Sequence, residues 1–243
     1  TGLGIMALAA GLPGIILAEF NPDGVFDAVE QHGVTRFFMV PAALQFLLMH
    51  PRCATVDYSR LKYILYGAAP IPLELLRRCI QMFGAQFIQA YGMTETTGTI
   101  SMLPPEDHDP AGNKRMRSAG KPLPGVEIKI LGPDGEEMPV GEVGEVVTRS
   151  SNNMLGYWNL PAATAKTATY PTPTMSDGTG ARRRIVRAIA SARIAARMIP
   201  YQWGKKSRKR RCRMVLVTEA WVPTFAYSGE KGFTPISVVP VPV

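Results

Sequence analysis

Two short segments of this sequence bring together residue types that could do chemistry. The first is Gly67-Ala68-Ala69-Pro70, and the second is Tyr91-Gly92-Met93-Thr94-Glu95. Small residues let a backbone approach a flat ring, and the proline that follows them fixes the turn. The second segment combines an aromatic ring that can stack, a hydroxyl donor, and a carboxylate of the kind that Mg²⁺ takes as a ligand.

Each segment also has an ordinary structural interpretation when it is taken alone. Gly67–Pro70 is typical of a plain strand-to-helix turn. Thr94 and Glu95 suit the N-cap and the acidic first turn of a helix, and Tyr91 suits a core position. The chemical interpretation therefore depends on where the fold places the two segments and on what accompanies them.

The elements that must position these segments alternate along residues 1–90. Short apolar runs predict strands at Gly14–Ala18, Arg36–Val40, Lys62–Tyr66 and Gln86–Ala90. Helical spacing predicts helices at Pro22–Gln31, Pro41–His50 and Pro72–Phe83, each with proline in its first turn. Strands that alternate with helices of about ten residues form βαβ units around a parallel sheet. Ligands bind at the carboxyl ends of such strands, and both segments lie there.

The sequence predicts an α/β fold with three successive regions. Residues 1–103 form a partial parallel sheet with flanking helices, and residues 104–167 form a small β-rich unit. In the second region we expect strands at Val126–Leu131 and Gly144–Arg149, and one helical turn at Pro161–Lys166. Residues 168–243 form a tail that we expect to be mostly irregular.

The formal net charge of +8 belongs entirely to this tail. Residues 1–167 contain 13 Lys and Arg against 16 Asp and Glu, whereas residues 168–243 contain 14 against 3. A basic, proline-containing segment cannot easily bury enough surface to offset its ordering entropy, so we expect disorder, with at most an isolated helix over Ala181–Ile199. The abrupt change after Thr167 suggests a frame change, a fusion or a misassigned coding end.

Composition excludes several protein classes. With 46% hydrophobic and 19% charged residues, the chain is not of a disordered type. Cys53, Cys79 and Cys212 form no CxxC pair, which argues against a disulfide framework or a structural zinc site and favours a reducing, cytoplasmic setting. The uncharged residues 1–18 are interrupted by Gly11, Pro13 and Gly14, so we expect neither a transmembrane segment nor a signal peptide.

A third segment completes a set with a recognisable order. Gly141-Glu142-Val143-Gly144-Glu145-Val146-Val147 is followed by Gly156-Tyr157-Trp158-Asn159. Together with Tyr66–Pro70 and Gln89–Thr96, in this order and spacing, it resembles the AMP-forming acyl-CoA synthetases of the adenylate-forming superfamily. The resemblance covers about Gly2 to Thr167, and the tail is unmatched.

The resemblance implies a ligase that uses ATP and Mg²⁺, with CoA as co-substrate. A fatty or related carboxylic acid would become an acyl-adenylate and then a thioester. Thr94 and Glu95 would be catalytic, with Thr94 donating to a phosphate oxygen and Glu95 holding the metal. The implied nucleotide-binding residues are Gly67, Ala68, Ala69, Pro70, Tyr91, Gly92, Met93 and Thr94.

Other parts of the family pattern have no match in this sequence. These are a phosphate-binding loop with a lysine, which would precede Thr1, and a Thr-Gly-Asp segment and a late lysine, which would follow Thr167. Asp177-Gly178-Thr179-Gly180 has similar letters in the wrong order. Because the chain also begins with Thr1, we expect a processed or fragmentary ligase that is catalytically incomplete.

Two alternatives to a ligase fragment stay open at this level. The chain could be a non-catalytic remnant that keeps the fold. It could also bind polyanions through Lys205–Arg213, where seven of nine residues are basic. Specific nucleic-acid recognition is not expected, because the basic run contains no aromatic residue for base stacking and Trp203 lies outside it.

We predict that this chain alone releases pyrophosphate near the background rate when it is given ATP, Mg²⁺, CoA and a panel of fatty and aromatic acids. Each missing preorganised donor typically costs about a hundred- to a thousandfold in rate. Acid-dependent release well above that of a Glu95→Gln variant would contradict this prediction.

Overall fold

The computed structural model describes residues 4, 7, 9–112, 114–169, 184–188 and 214–217. The α-helices after residue 20 in the described residues are α1 (Pro22–His32), α2 (Pro41–Met49), α3 (Leu73–Phe83) and α4 (Pro161–Thr167). The strands before residue 110 are β1 (Gly14–Leu17), β2 (Arg36–Met39), β3 (Tyr63–Gly67), β4 (Gln86–Met93) and β5 (Gly98–Leu103). Those that follow are β6 (Lys121–Pro122), β7 (Glu127–Leu131), β8 (Glu145–Ser150), β9 (Ala168–Thr169), β10 (Arg184–Ala188) and β11 (Met214–Val217).

The larger of the two sheets in the described residues confirms the predicted α/β architecture. Its strand order is β1-β11-β2-β3-β4-β5-β6. The neighbours from β1 through β4 pair in parallel, whereas β5 and β6 are antiparallel. The sheet is therefore mixed at one side, because the chain reverses direction after β4 and returns beside it as β5.

Local sequence explains why the helices begin where they do. The side chain of Asn21 caps α1 by accepting a hydrogen bond from the backbone N–H of Asp23 at 3.0 Å. Pro22 and Pro41 occupy the first positions of α1 and α2, where a missing N–H has no cost. These starts agree with the sequence prediction, whereas α3 begins one residue after the predicted Pro72.

One face of the large sheet and the three helices α1–α3 form the hydrophobic core. Phe37, Ile64 and Phe87, from three adjacent strands, are at most 1% exposed. The same cluster contains Phe26, Leu44 and Leu76 from the three helices. Successive strand residues point to opposite faces, so the partly buried Phe38, Leu65 and Ile88 lie on the other face. The core thus fixes the orientation of β2, β3 and β4 on which the candidate site depends.

The smaller sheet is antiparallel, with strand order β7-β8-β10-β9. Glu127 on β7 lies opposite Arg149 on β8, and their side chains form an ion pair. The predicted strands in this region and the helical turn at residues 161–166 are confirmed. Lys121–Pro122, although it lies beyond residue 103, pairs with β5 and so belongs to the large sheet.

The described parts of the tail are strands. Residues 184–188 were expected to lie in an irregular or helical segment, but they pair with β8 as β10. Residues 214–217 pair in parallel with both β1 and β2 as β11. The rest of the tail, including Lys205–Arg213, lies outside the described residues, and its expected disorder stays a prediction.

The apolar start of the chain leads into the first strand. Residues 14–17 form β1, as predicted. None of the helices in the described ranges combines the length and apolar composition needed to cross a bilayer.

A buried polar pair lies beside the core. His108 is 8% exposed, and its Nδ1 lies 2.9 Å from the carbonyl oxygen of Pro104. Because a carbonyl oxygen only accepts, Nδ1 carries the proton, and Nε2 accepts a hydrogen bond from the Tyr66 hydroxyl at 3.0 Å. Burial lowers the pKa of His108, with a smaller opposing effect from the Pro104 hydrogen bond.

We predict that acidification destabilises the fold in part through His108. Because the pKa of His108 is lower in the folded state, the unfolded state binds the proton more readily, and stability falls as pH drops below about 6.5. Chemical unfolding of His108→Gln between pH 7 and pH 5 is expected to show a shallower loss of stability, with a difference of at most about 1.4 kcal/mol per pH unit.

The exposed His32 provides a matched control for that experiment. His32→Gln measures how the loss of a surface imidazole changes the slope, and His108→Gln is expected to change it more. Equal slopes for the parent and His108→Gln would show that the buried imidazole does not contribute.

Candidate functional site

The two chemistry-bearing segments leave adjacent parallel strands at the same end. In the register of β3 and β4, Gly67 pairs with Ala90. Ala68, Ala69 and Pro70 follow Gly67 as an exposed turn, and Tyr91 follows Ala90 within β4. The structure therefore brings the start of both predicted segments together at the carboxyl edge of the sheet.

The turn after β3 has an uncommon backbone conformation. Ala68 has a φ of 64°, in the left-handed region that residues with a Cβ rarely adopt. Such strain costs on the order of 1–3 kcal/mol and is concentrated at functional sites. The small side chains in this turn leave its exposed backbone open to a ligand.

Gly67 and Gly92 are required by strand packing, independently of any ligand. A Cβ at Gly67 would lie 2.2 Å from the carbonyl oxygen of Ala90, and one at Gly92 would lie 1.9 Å from that of Gly98. Both obstacles are backbone atoms of a paired strand, which cannot move aside as a flexible side chain could. The interpretation of Gly67 as a residue that only admits a flat ring thus omitted its packing role.

Tyr91 lies at an irregular point of the sheet. The pairing of β4 with β5 shifts register between Tyr91 and Gly92, and such bulges are common beside active sites. The Tyr91 ring is partly buried, and its hydroxyl has no hydrogen-bond partner within the described part of the chain. Burial raises the pKa of this phenol.

A short 3₁₀ helix, Thr94–Thr96, carries the hydroxyl and the carboxylate. Thr96 is 1% exposed, and its Oγ1 accepts a hydrogen bond from Met93 N at 3.2 Å. The same hydroxyl lies 2.7 Å from the carbonyl oxygen of Gly98. Thr96 therefore holds the turn closed, whereas Thr94 is exposed and Glu95 is partly buried. The sequence interpretation gave Thr96 no role.

A distant segment of the chain binds this turn. The backbone N–H of Met154 donates to the carbonyl oxygen of Glu95 at 2.7 Å. The hydroxyl of Thr97 donates to the carbonyl oxygen of Asn152 at 2.5 Å. These contacts span more than fifty residues and join the loop after β8 to the end of β4.

The Glu95 carboxylate itself is held by Tyr157. The Tyr157 hydroxyl donates to Glu95 Oε1 at 2.6 Å, a length typical of a hydrogen bond to a charged acceptor. This bond raises the pKa of Tyr157, with burial as a smaller cause. Sequence reasoning noted Tyr157 in a motif but did not connect it with Glu95, because the two residues are 62 positions apart.

The donor set suits a hard cation held mainly by a substrate. Within the described residues, no group of three or more His, Cys, Asp or Glu side chains could hold a metal alone. Glu95 offers a carboxylate and Thr94 a hydroxyl at one turn. Mg²⁺ is commonly held by one or two carboxylates together with substrate phosphates, so the residues present fit Mg²⁺ in that role.

A cavity of about 460 Å³ lies elsewhere, near the amino ends of β3 and β4. Its lining includes Tyr63, Gln86, Glu106 and His108. The nucleotide-binding residues expected from the sequence do not line this cavity, so it is separate from the turn that carries Glu95.

Comparisons with known proteins relate the chain to one family. Residues 3–158 match the AMP-binding enzyme family. A feruloyl-CoA synthase from an Amycolatopsis species is 40% identical over 167 residues, which cover 68% of this chain and 33% of that protein. The fatty acid–acyl-carrier-protein ligase ScoC of Streptomyces coeruleorubidus is 37% identical over 158 residues, or 65% of this chain and 30% of that protein.

The fold agrees with solved structures. The amide bond synthetase McbA from Marinactinospora thermotolerans superposes with a TM-score of 0.59 at 35% identity, covering 70% of this chain and 31% of that one. The present chain spans about a third of the length of the curated relatives it matches.

We predict that Gly92→Ala destabilises the chain by about 2–4 kcal/mol, as expected for a steric clash with fixed backbone. The matched control is Gly24→Ala in α1, where a Cβ would meet its nearest atoms at an ordinary 3.9 Å. Replacing an interior helix glycine by alanine is expected to be neutral or to stabilise by up to about 1 kcal/mol. Urea unfolding measures both, and equal effects would show that β4 and β5 can separate at Gly92.

Proposed function

Because the chain belongs to the AMP-binding enzyme family, we propose that it supplies the purine- and metal-binding part of an ATP-dependent acid–thiol ligase. In the proposed reaction, a carboxylate oxygen attacks the α-phosphate of ATP, and pyrophosphate leaves with its bonding electron pair. The thiolate of CoA then attacks the acyl carbon of the adenylate, forming the thioester and releasing AMP. One observation carries the proposal: Glu95 lies on a turn closed by Thr96 that follows β4, and β4 pairs in parallel with β3, which leads into the exposed Ala68–Pro70 turn.

Each residue at this edge has a role that its position supports. Tyr91 follows Ala90, the partner of Gly67 in the sheet, and we assign its partly buried ring to stacking on the purine. Thr94 is exposed, and its hydroxyl is able to donate to a phosphate oxygen. Glu95 would hold Mg²⁺ through its carboxylate, and the ion would screen the charge of the departing pyrophosphate.

The packing of the turn contributes to catalysis by fixing these groups before the ligand arrives. Preorganised donors and charges need no reorganisation as charge develops on the phosphate oxygens. Thr96 and the Met154–Glu95 hydrogen bond hold the backbone of the turn. The backbone positions of Thr94 and Glu95 are therefore set by bonds within the protein.

A carboxylic acid of the fatty or related classes is the proposed substrate. Two of the relatives carry names that specify ferulate with CoA, and fatty acids with an acyl-carrier protein. These names share activation of a carboxylate and differ in the acid and in the thiol. We propose CoA as the thiol that accepts the acyl group, because the motifs of this chain resemble those of acyl-CoA synthetases.

The proposed compartment is the cytoplasm. Cys53 and Cys79 are free and buried in the structure. Burial raises the pKa of both thiols and keeps them protonated and unreactive near neutral pH. Buried free thiols are compatible with a reducing environment.

We predict that the chain binds ATP weakly and that part of the affinity depends on Mg²⁺. Replacing Glu95 by Gln removes the charge that a divalent ion requires, so the Mg²⁺-dependent gain in affinity should fall at least about tenfold. Isothermal titration of the purified chain with ATP, with and without Mg²⁺, measures this gain.

Glu106→Gln is a matched control, because Glu106 is an exposed carboxylate beside the separate cavity. It is expected to leave ATP affinity unchanged with and without Mg²⁺. An equal loss in both variants, or no ATP binding by the parent chain, would contradict the proposed function.

A further inference from the structure

The geometry points to Tyr157 as a positioning residue that orients the Glu95 carboxylate toward the nucleotide-bound cation. This inference rests on the proposed function, since it names the residue that prepares the proposed metal ligand. The Tyr157 hydroxyl donates to Glu95 Oε1 at 2.6 Å. The bond engages one carboxylate oxygen, and the second oxygen of the same group is thereby fixed in direction.

A positioning role requires that Tyr157 itself be held, and two contacts do this. Its backbone N–H donates to Thr164 Oγ1 on α4 at 2.9 Å. The Thr164 hydroxyl in turn donates to the carbonyl oxygen of Leu160 at 2.9 Å. The phenol therefore extends from a backbone that is tied to a helix.

The bond is not needed to hold the two segments together. The Met154–Glu95 backbone hydrogen bond and the Thr97–Asn152 contact already join the loop after β8 to the turn. Neither of these bonds touches the Glu95 carboxylate. The two backbone contacts leave the Glu95 side chain free to rotate, and the Tyr157 hydroxyl restrains its carboxylate.

A hydrogen bond to an ionised carboxylate is strong enough to keep the Glu95 side chain in one orientation. A glutamate side chain has several freely rotating bonds, so its carboxylate samples many directions unless a partner restrains it. Hydrogen bonds to ionised acceptors are roughly twice as strong as those between neutral groups.

Residues that orient a metal ligand affect metal affinity although they do not touch the metal. Loss of such a partner typically costs 10–100-fold in affinity. Because Mg²⁺ here would depend on phosphates as well as on Glu95, we expect the low end of that range. ATP binding without Mg²⁺ does not use the carboxylate and should not change.

The test compares Tyr157→Phe with the parent chain of 243 residues by titration with ATP, with and without Mg²⁺. We expect the Mg²⁺-dependent gain in ATP affinity to fall roughly tenfold, while affinity without Mg²⁺ stays within about twofold. Tyr58→Phe is the matched control, because its hydroxyl donates to the carbonyl oxygen of Cys53 at 3.0 Å, far along the chain from the turn. That variant should keep the full Mg²⁺-dependent gain.

A second measurement does not depend on nucleotide binding. In ¹³C-tyrosine NMR, the Tyr157 signal is identified by its loss in Tyr157→Phe, and its chemical shift at neutral pH is compared between the parent and Glu95→Gln. The ring carbon that bears the hydroxyl should change its shift when the charged acceptor becomes an amide, because the hydrogen bond to the phenol weakens. An unchanged shift would show that the hydrogen bond does not form in solution and would overturn the inference.

The outcomes separate this inference from the proposed function. A parent chain that binds ATP with a Mg²⁺-dependent gain, together with a Tyr157→Phe variant that keeps this gain, overturns the positioning role alone. An equal loss of affinity with and without Mg²⁺ identifies a purely structural contact and also overturns it. A parent chain without any Mg²⁺-dependent ATP binding refutes the proposed function and, with it, the role given to Tyr157.

Discussion

The parallel pairing of β3 with β4 is the constraint on which the rest of the candidate site depends. Adjacent parallel strands end at the same edge of a sheet, so the segments that follow them meet there. Gly67 makes the approach possible, because a side chain at that position would overlap the backbone of Ala90. The turn after β3 and the last residues of β4 therefore start side by side, although more than twenty residues separate Gly67 from Ala90.

The core explains why that pairing is stable. Helices α1, α2 and α3 bury their apolar faces against one side of β2, β3 and β4, with Phe26, Ile64 and Leu76 fully enclosed. Burial of each such side chain contributes roughly 1.5–3 kcal/mol, which anchors the strands that carry the site. The hydroxyl of Tyr66 on β3 is buried in this region and is paired with His108. The exposed turns at the carboxyl edge extend from this fixed frame.

A second group of contacts restrains the turn after β4, which strand pairing alone does not hold. Strand pairing fixes the backbone of β4 but leaves the side chains of a following turn to rotate. Thr96 closes the turn, and the Asn152–Tyr157 segment binds its outer side. The small β unit thus completes the arrangement around Glu95, and the residues of the candidate site belong to two regions of the chain that differ in secondary structure.

The sequence by itself determined the α/β class, most element bounds and the family resemblance. The spacing of hydrophobic residues and the positions of prolines are local properties of the sequence. For this reason the bounds of α1, α2, β3 and β8 are predicted to within a few residues. The residue types of Tyr91–Glu95 likewise indicate a nucleotide-binding role from the sequence alone. Only the tertiary structure decided how β5 turns back beside β4, and that β10 and β11 pair with distant strands. It alone showed that Gly92 is required by the backbone of Gly98, and that Tyr157 donates to Glu95. Such contacts depend on distances between residues far apart in sequence, and no local pattern encodes those distances.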